Sequence, residues 1–319
     1  TTKILSELRC DGYCVATGFE ISTLLNDGVS EPILHLGKVD SDIIRKLSLF
    51  SNAIFTINHP DDVLIIISSL PKEVRSVSVH IKVDTGMSRL GVMENKLEQV
   101  LDELSKTSKV VATGIFSHFS CSEDLNSREA KNQFAAFSQI AEYVKSMVSS
   151  VTKGHISNSA GILRDEGFCL EMVRPGISVY GVSPLGSAHK DLMPAMTFRA
   201  PIVLIKDIPK GTGVGYNSTY VSDRDMKVAI VQAGYADGVP ASLSNRGSVY
   251  LDENPLHIIG KVSMDLICID LCDISANVGD FVEIWGGRFN DLESVSLTAG
   301  VLPYHCLTTI SERVVRIYE

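Results

Sequence analysis

The first half of the chain alternates short β-branched apolar runs with amphipathic helical stretches, up to about residue 185. This alternation is typical of repeated βα units that build a parallel sheet. The charged, periodic stretches 96–105 and 128–149 are predicted helices, and the predicted strands are 12–17, 32–36, 53–57, 78–83, 112–117, 154–157 and 178–180. The pattern favours an α/β fold, a (β/α)8 TIM-type barrel, in which these seven strands are one short of the usual eight.

The pattern of predicted secondary structure changes after about residue 193, where strands and turns dominate and helices are few. Predicted strands cover 197–206, 227–232, 256–269 and 281–285, and turn sequences such as Asp237-Gly238 and Gly286-Gly287 separate them. A short helix at 294–300 and a terminal strand at 312–318 complete the pattern. We therefore predict a barrel domain at 1–193 and a mostly β C-terminal domain at 194–319.

Length and charge narrow the classes of function. A chain of 319 residues can bury a large core, and this length favours two domains. The net charge of -9 gives no general attraction for nucleic acid or anionic lipid. Since no apolar run approaches the length of a membrane span, we predict neither a nucleic acid nor a membrane partner.

The seven cysteines show no zinc-type spacing and lie at positions 10, 14, 121, 169, 268, 272 and 306. Cys10 and Cys14 could pair with Cys268 and Cys272, but the strand-like neighbours favour buried free thiols. We therefore expect a reducing compartment, the cytoplasm, and no metal site.

One predicted strand ends in charge: Lys82, Asp84 and Arg89 follow a β-branched run within a few residues. An unpaired interior ion costs several kcal/mol, so this segment is predicted to build a site. By itself, Lys82 would suit a Schiff-base lysine for a carbonyl cofactor.

A second candidate site combines two loops. Arg174 and Gly176 lie in a turn whose backbone amides could face an anion, as in barrels that bind phosphate beyond a late strand. Ser157 and Ser159 add hydroxyls at the end of the preceding strand. Taken alone, a serine there more often caps a turn.

Seven short motifs then occur in the order found in bacterial alanine racemases: HIKVDTGMSRLG at 80–91, SHFS at 117–120, HISNSA at 155–160, VRPGIS at 173–178, VGYNSTY at 214–220, GYADG at 234–238 and GKVSMD at 260–265. The chain resembles this family over essentially its whole length. The resemblance implies a fold-type III enzyme with a barrel, a β domain and pyridoxal 5'-phosphate as cofactor. It further implies a homodimer with shared active sites that interconverts L- and D-alanine by a two-base mechanism, supplying D-alanine for peptidoglycan.

The resemblance also assigns roles around the cofactor. Tyr216 matches a catalytic tyrosine that serves the partner's site, although a β-domain tyrosine by itself is more often a packed aromatic. Arg174 matches the arginine that faces the pyridine nitrogen, and His118 matches a histidine near it. The phosphate contacts are assigned to Ser159, Gly176, Ile177 and Tyr304.

The same resemblance assigns the substrate contacts. Arg89 matches the arginine that orients the substrate carboxylate, for which a planar fork of donors is suited. Met264, Asp265 and Tyr235 match substrate-binding residues, and Lys82 matches a lysine that is commonly carbamylated in the family.

The family's Schiff-base lysine belongs to a segment resembling Lys-Ala-Asn-Ala-Tyr-Gly-His-Gly, which this sequence does not contain. That segment would precede Thr1, where the barrel also falls one strand short, so we expect a longer protein. Two alternatives stay open: a racemase of broader specificity, for example toward serine, and a non-catalytic pyridoxal-phosphate-binding protein.

Overall fold

The computed structural model describes residues 1–164 and 167–318 and divides into two compact units, Thr1–Pro175 and Gly176–Glu319. The division comes earlier in the chain than the predicted 193/194 boundary. Residues 178–180, predicted as the last barrel strand, instead belong to a 3-10 helix, Ile177–Tyr180. Ile177 and Val182 pack into the core of the second unit, which accounts for the earlier division.

The first unit contains a six-stranded parallel sheet with helices in its connections. The strands lie in sequential order: β1 Tyr13–Val15, β2 Ile33–His35, β3 Ala53–Ile57, β4 Val77–Lys82, β5 Val110–Phe116 and β6 Lys153–His155. The helices are α1 Thr2–Glu7, α2 Gly18–Asn26, α3 Ser41–Leu47, α4 Pro60–Ser69, α5 Leu97–Ser105, α6 Glu129–Met147 and α7 Ser159–Leu163. This half-barrel confirms the predicted α/β class, with six strands in the described residues rather than seven.

Local sequence explains where the helices begin and what they bury. Asp40 caps α3 by accepting the backbone N–H groups of Asp42 and Ile43. Thr17 and Glu20 form a capping box at the start of α2. In α5, the buried side chains follow helical spacing and are Leu97, Val100, Leu101 and Leu104.

Strand register places the charged ends side by side. Lys82 on β4 is opposite Phe116 on β5, which is opposite His155 on β6. One layer below, Thr56 on β3 is opposite His80 on β4. Because carboxyl ends of parallel strands share one edge, these side chains lie where such sheets carry their sites.

The second unit is built on a closed antiparallel barrel. Its strands are β7 Phe198–Ile208, β8 Gly213–Val214, β9 Tyr220–Val221, β10 Met226–Val231, β11 Ser248–Leu251, β12 Asn254–Ile259, β13 Ile267–Asp270 and β14 Phe281–Trp285, followed by α8 Leu292–Ala299 and α9 Pro303–Thr308. The barrel order is β10-β13-β12-β11-β14-β7, and β8 and β9 form a separate hairpin. The predicted mostly β unit is confirmed.

Three local predictions are corrected. The single strand expected at 256–269 is two strands, because Gly260 takes a left-handed φ of +75° and the chain turns before β13. Residues 312–318 form a turn and irregular chain rather than a strand. All seven cysteines are free thiols, as expected, but only Cys306 is buried. Cys14, Cys169 and Cys272 are exposed, and the other three are partly buried.

No helix in the described parts of the chain has both the length and the apolar character needed to cross a membrane.

Candidate functional site

Lys82 ends β4 as a nearly buried cation, 6% exposed, with its Nζ 5.6 Å from the centre of the Phe116 ring. Burial, together with the positive charges of Arg89 and Arg174, lowers the pKa of Lys82 to about 8, against the opposing effect of Asp84. A substantial fraction of the amine is therefore neutral in mildly alkaline solution. A neutral amine can act as a nucleophile toward small electrophiles.

The loop after β4 is organised by Asp84 and leads to the exposed Arg89. One carboxylate oxygen of Asp84 accepts the backbone N–H groups of Gly86, Met87 and Ser88 at 2.9, 2.9 and 3.1 Å. Burial alone would raise the pKa of Asp84, but these backbone donors hold it below its ordinary value. The loop that carries Arg89 is thus fixed by a charged turn.

Arg174 lies half-buried against the aromatic ring of Phe116, with its guanidinium carbon 5.3 Å from the ring centre. It donates to the carbonyl oxygens of Ser117 at 2.7 Å and Ile156 at 3.1 Å. Burial lowers the pKa of Arg174 to about 10, which leaves it a cation at neutral pH. The side chain is a fixed positive charge at the strand ends.

Two buried histidines extend from Arg174 into the sheet. Arg174 hydrogen-bonds His155 Nδ1, and His155 Nε2 lies 2.9 Å from His80 Nδ1. Because a guanidinium only donates, His155 must accept at Nδ1 and donate from Nε2 to His80. This assignment, inferred from the hydrogen-bond network, gives the neutral tautomer of each ring.

The electrostatic environment keeps these rings neutral. Burial, then Lys153 and Arg174, lower the pKa of His80 to about 4. Burial, then Arg174 and His80, hold the pKa of His155 well below its ordinary value. The histidines therefore support Arg174 without adding positive charge.

His118 and Ser159 lie on the loops that follow β5 and β6. Nδ1 of His118 is 3.4 Å from Arg174, and burial followed by Arg174, Arg89 and Lys82 lowers its pKa to about 4. Ser159 is 1% exposed at the first position of α7, which Asn158 caps by accepting the N–H of Gly161 at 3.0 Å. The first unit thus brings together Lys82, Arg89, His118 and Arg174.

In the second unit, Tyr216 is carried on a strained turn and is 69% exposed. Gly215, Asn217 and Ser218 all have positive φ, at 69°, 60° and 45°. Left-handed conformations at non-glycine residues cost about 1–3 kcal/mol each and cluster at functional sites. This strain marks the turn of Tyr216 as a candidate functional site independently of any motif.

Two further turns carry Tyr235 and the pair Met264 and Asp265. The N–H of Tyr235 donates to Ser263 O at 3.0 Å, and the N–H of Ala236 donates to Met264 O at 3.0 Å. The second unit thus places these three predicted residues on adjoining turns.

Asn245 connects the Tyr216 turn to the same region. Its side chain accepts the N–H of Gly260 at 2.6 Å and donates to the hydroxyl of Thr219 at 3.1 Å. Three turns and four predicted residues therefore form one connected surface of the second unit.

The other predicted residues of this unit lie on two separate elements. Gly176 precedes the 3-10 helix, and a Cβ at this position would meet no atom within 4 Å. Ile177 is 2% exposed in the core, and Tyr304 is on α9 with 38% exposure. The space beside Gly176 can admit a group that approaches the backbone.

Sequence reasoning missed Phe116 and quoted His80 and His155 only as parts of motifs. A histidine inside an apolar strand was the available signal at position 80. Its meaning depends on strand register, which brings residues 80 and 155 together across two sheet connections. Among the described residues, no group of three or more His, Cys, Asp or Glu side chains could hold a metal ion.

Comparisons with known proteins find the same family for both parts of the chain. Residues 1–184 match the family model for the alanine racemase N-terminal domain, and residues 195–318 match that for the C-terminal domain. Alanine racemase 2 of Caldanaerobacter subterraneus is 33% identical over 327 residues, covering 99% of this chain and 83% of the relative.

Solved structures of alanine racemases are also similar to this chain. Alanine racemase from Streptomyces lavendulae superposes with a TM-score of 0.91 at 27% identity, covering 100% of this chain and 86% of that chain. Alanine racemase from Bartonella henselae, which contains covalently bound pyridoxal phosphate, gives 0.87 at 29% identity, covering 99% and 87%. The chain therefore belongs to the alanine racemase family of pyridoxal-phosphate-dependent isomerases.

Proposed function

We propose that this protein interconverts L- and D-alanine as a homodimer with shared active sites. The observation that carries the proposal is the fixed guanidinium of Arg174, held by two carbonyl oxygens and a buried histidine pair. Membership of the family indicates the reaction. The hydrogen bonds that fix the Arg174 guanidinium indicate how this chain is suited to it.

The donor set fits an anionic aromatic cofactor. Arg174 would donate a hydrogen bond to the pyridine nitrogen while keeping its own proton, because its pKa is far above neutral. Ser159, the backbone N–H groups of Gly176 and Ile177, and Tyr304 are proposed to hold the phosphate. When bound, pyridoxal phosphate supplies an electron sink for the carbanion that remains after the α-hydrogen leaves.

By donating a hydrogen bond without giving up its proton, Arg174 would leave the cofactor's pyridine nitrogen unprotonated. This would favour return of a proton to the α-carbon over side reactions such as transamination. His155 and His80 support this role, because their neutral tautomers add no further positive charge beside Arg174.

Substrate binding is assigned to Arg89, Met264, Asp265 and Tyr235. Arg89 would pair with the substrate carboxylate through its planar fork of donors. The lowered pKa of Lys82 makes its neutral amine available for carbamate formation, which would replace a cation near Arg89 by an anion.

Proton movement is assigned to Tyr216, whose phenol would take and return the α-proton on one face of the substrate in the partner subunit's site. Its exposed position on a strained turn supports action beyond its own unit. Racemisation needs a second base on the opposite face, which the family resemblance assigns to the lysine segment that these 319 residues do not contain.

We place the protein in the cytoplasm, because seven free thiols suit a reducing compartment. There it would supply D-alanine for peptidoglycan.

The test is D/L interconversion by full-length protein with added pyridoxal phosphate, followed by chiral chromatography across a panel of amino acids. Alanine should be the preferred substrate, and Tyr216→Ala should abolish interconversion. Tyr250→Phe is the matched control, since that half-buried ring belongs to β11 and packs against Phe289. Normal racemisation by Tyr216→Ala would refute the proposal.

A further inference from the structure

The turn after α9 places Arg313 against both turns that carry the proposed substrate-binding residues of the second unit. Val314 N–H donates to Ser311 O at 3.2 Å, which closes this turn and presents Arg313 near its end. We propose that Arg313 is a positioning residue that clasps the 234–238 turn to the 263–266 turn. This inference rests on the proposed function, in which those turns contact substrate.

The guanidinium reaches both turns at once. Its Nε donates to Asp237 Oδ1 at 2.7 Å, one terminal nitrogen lies 2.9 Å from Asp265 Oδ1, and the other is 3.4 Å from Met264 O. The second oxygen of Asp237 accepts the N–H of Gly234 at 2.8 Å. A single planar fork therefore connects a carboxylate that shapes the first turn to the backbone and side chain of the second.

The two ion pairs differ in strength. The side chain of Asp237 is 15% exposed, whereas that of Asp265 is 58% exposed. A charge-assisted hydrogen bond sheltered from water is stronger than an exposed pair, which salt and solvent screen. Asp237 is therefore the anchor, and through it Arg313 holds the more exposed pair, Met264 and Asp265.

The glycines of GYADG allow this close packing. A Cβ at Gly234 would overlap the carbonyl oxygens of Ser263 and Met264, so only glycine lets the two turns touch. Gly238 has φ +108°, and a Cβ there would come within 2.8 Å of the Ile310 side chain. The second glycine thus admits the segment that carries Arg313.

The proposed contact residues have little other side-chain support. Tyr235 is 49% exposed and Met264 is 52% exposed, so burial does not fix either side chain. Hydrogen bonds within each turn shape it separately, whereas the two turns are held to each other by two backbone hydrogen bonds, from Tyr235 to Ser263 and from Ala236 to Met264, and by the clasp. Lysine at position 313 could keep the charge but could not reproduce the fork.

The experiment compares Arg313→Ala and Arg313→Lys with Arg316→Ala. Arg316 is a suitable control, because it lies in the same segment but, among the described residues, donates to the carbonyl oxygens of Ser311, Val314 and Ile310 rather than to either turn. Hydrogen–deuterium exchange of full-length protein reports the turns directly, and steady-state kinetics with alanine reports their effect on substrate.

In Arg313→Ala, the Tyr235 and Ala236 amides should exchange about tenfold faster, and KM should rise about tenfold while kcat changes by less than about threefold. Arg313→Lys should give a smaller effect of the same kind. Arg316→Ala should leave both measurements at wild-type values.

Wild-type exchange and KM in Arg313→Ala would overturn the clasp. Should that variant unfold, Arg313→Lys decides in its place: faster exchange at the two amides supports the clasp, and wild-type exchange overturns it. A wild-type protein without racemase activity would refute the proposed function, while exchange would still decide the clasp.

Discussion

At the scale of single residues, burial sets the chemistry of the strand ends. Lys82, His80 and His118 all have pKa values lowered chiefly by removal from water, and in each case a neighbouring positive charge contributes further. In solvent, Lys82 would be a cation at neutral pH and the two histidines would titrate near 6.5, so burial shifts all three side chains toward their neutral forms.

Lys82 should form a carbamate at neutral to mildly alkaline pH, because its pKa of about 8 leaves part of the amine neutral. The neutral amine adds to the carbon of carbon dioxide, which dissolved bicarbonate supplies, and releases a proton. NMR with ¹³C-labelled bicarbonate should show a carbamate carbon that Lys82→Gln removes. Lys106→Gln is the control, since hydrogen bonds to Asp102 and Glu103 raise the pKa of Lys106 and keep it protonated. A signal that survives in Lys82→Gln would contradict the assignment.

His80 should make folding stability sensitive to acid. Its folded pKa of about 4 is below its ordinary value of 6.5, so the unfolded state binds more protons between these values. The associated stability is full above pH 6.5 and is lost as the pH falls toward 4. From pH 7 to pH 5, wild type should lose about 2 kcal/mol more unfolding free energy than His80→Gln. Urea titrations at both pH values measure this, and equal losses would argue against a buried neutral His80.

At the scale of elements, short turns position the site more than helices or strands do. Asp84 organises the loop before Arg89, the left-handed residues around Tyr216 present its ring, and Gly234 allows two turns to touch. Asp84 does so by accepting backbone N–H groups, the residues around Tyr216 by taking left-handed conformations, and Gly234 by having no Cβ.

Asp84→Ala should destabilise the protein by about 1–3 kcal/mol, because three backbone donors lose a charged acceptor. KM for alanine should rise as well, since the loop carries Arg89. Asp102→Ala removes only an exposed pair with Lys106 and should cost less than about 1 kcal/mol. Thermal unfolding and steady-state kinetics provide the comparison, and equal effects of the two variants would rule out a special role for Asp84.

At the scale of the whole molecule, the main feature is that the proposed site residues are distributed over two units. Arg174, which we propose faces the cofactor, belongs to the first unit, and the turn of Tyr216 belongs to the second. If Tyr216 serves the partner's site, each active site draws on two protomers.

Mixing two inactive variants should therefore restore activity. A heterodimer of Tyr216→Phe and Arg174→Ala protomers would contain one intact site, and random pairing would leave about a quarter of the wild-type sites active. Activity measured after co-expression tests this expectation on the randomly paired protein, and the purified mixed dimer should have about half of the wild-type activity. Mixed dimers no more active than either parent would indicate that Tyr216 acts within its own chain.

The sequence by itself determined the order of elements and the chemical character of the candidate residues. Hydrophobic periodicity reports which face of a segment is buried, and this is a local property. It correctly indicated β3 at Ala53–Ile57, β14 at Phe281–Trp285 and the α/β-then-β organisation. Ordered motifs then indicated the family.

Only the tertiary structure decided which residues meet. The pairing of His80 with His155, the tautomers that Arg174 imposes and the reach of Arg313 across two turns all join positions far apart in the chain. Residues 178–180 also took a helical turn because Ile177 and Val182 pack in the second unit's core. Strand register, burial and long-range packing set these contacts, and a local pattern carries no record of them.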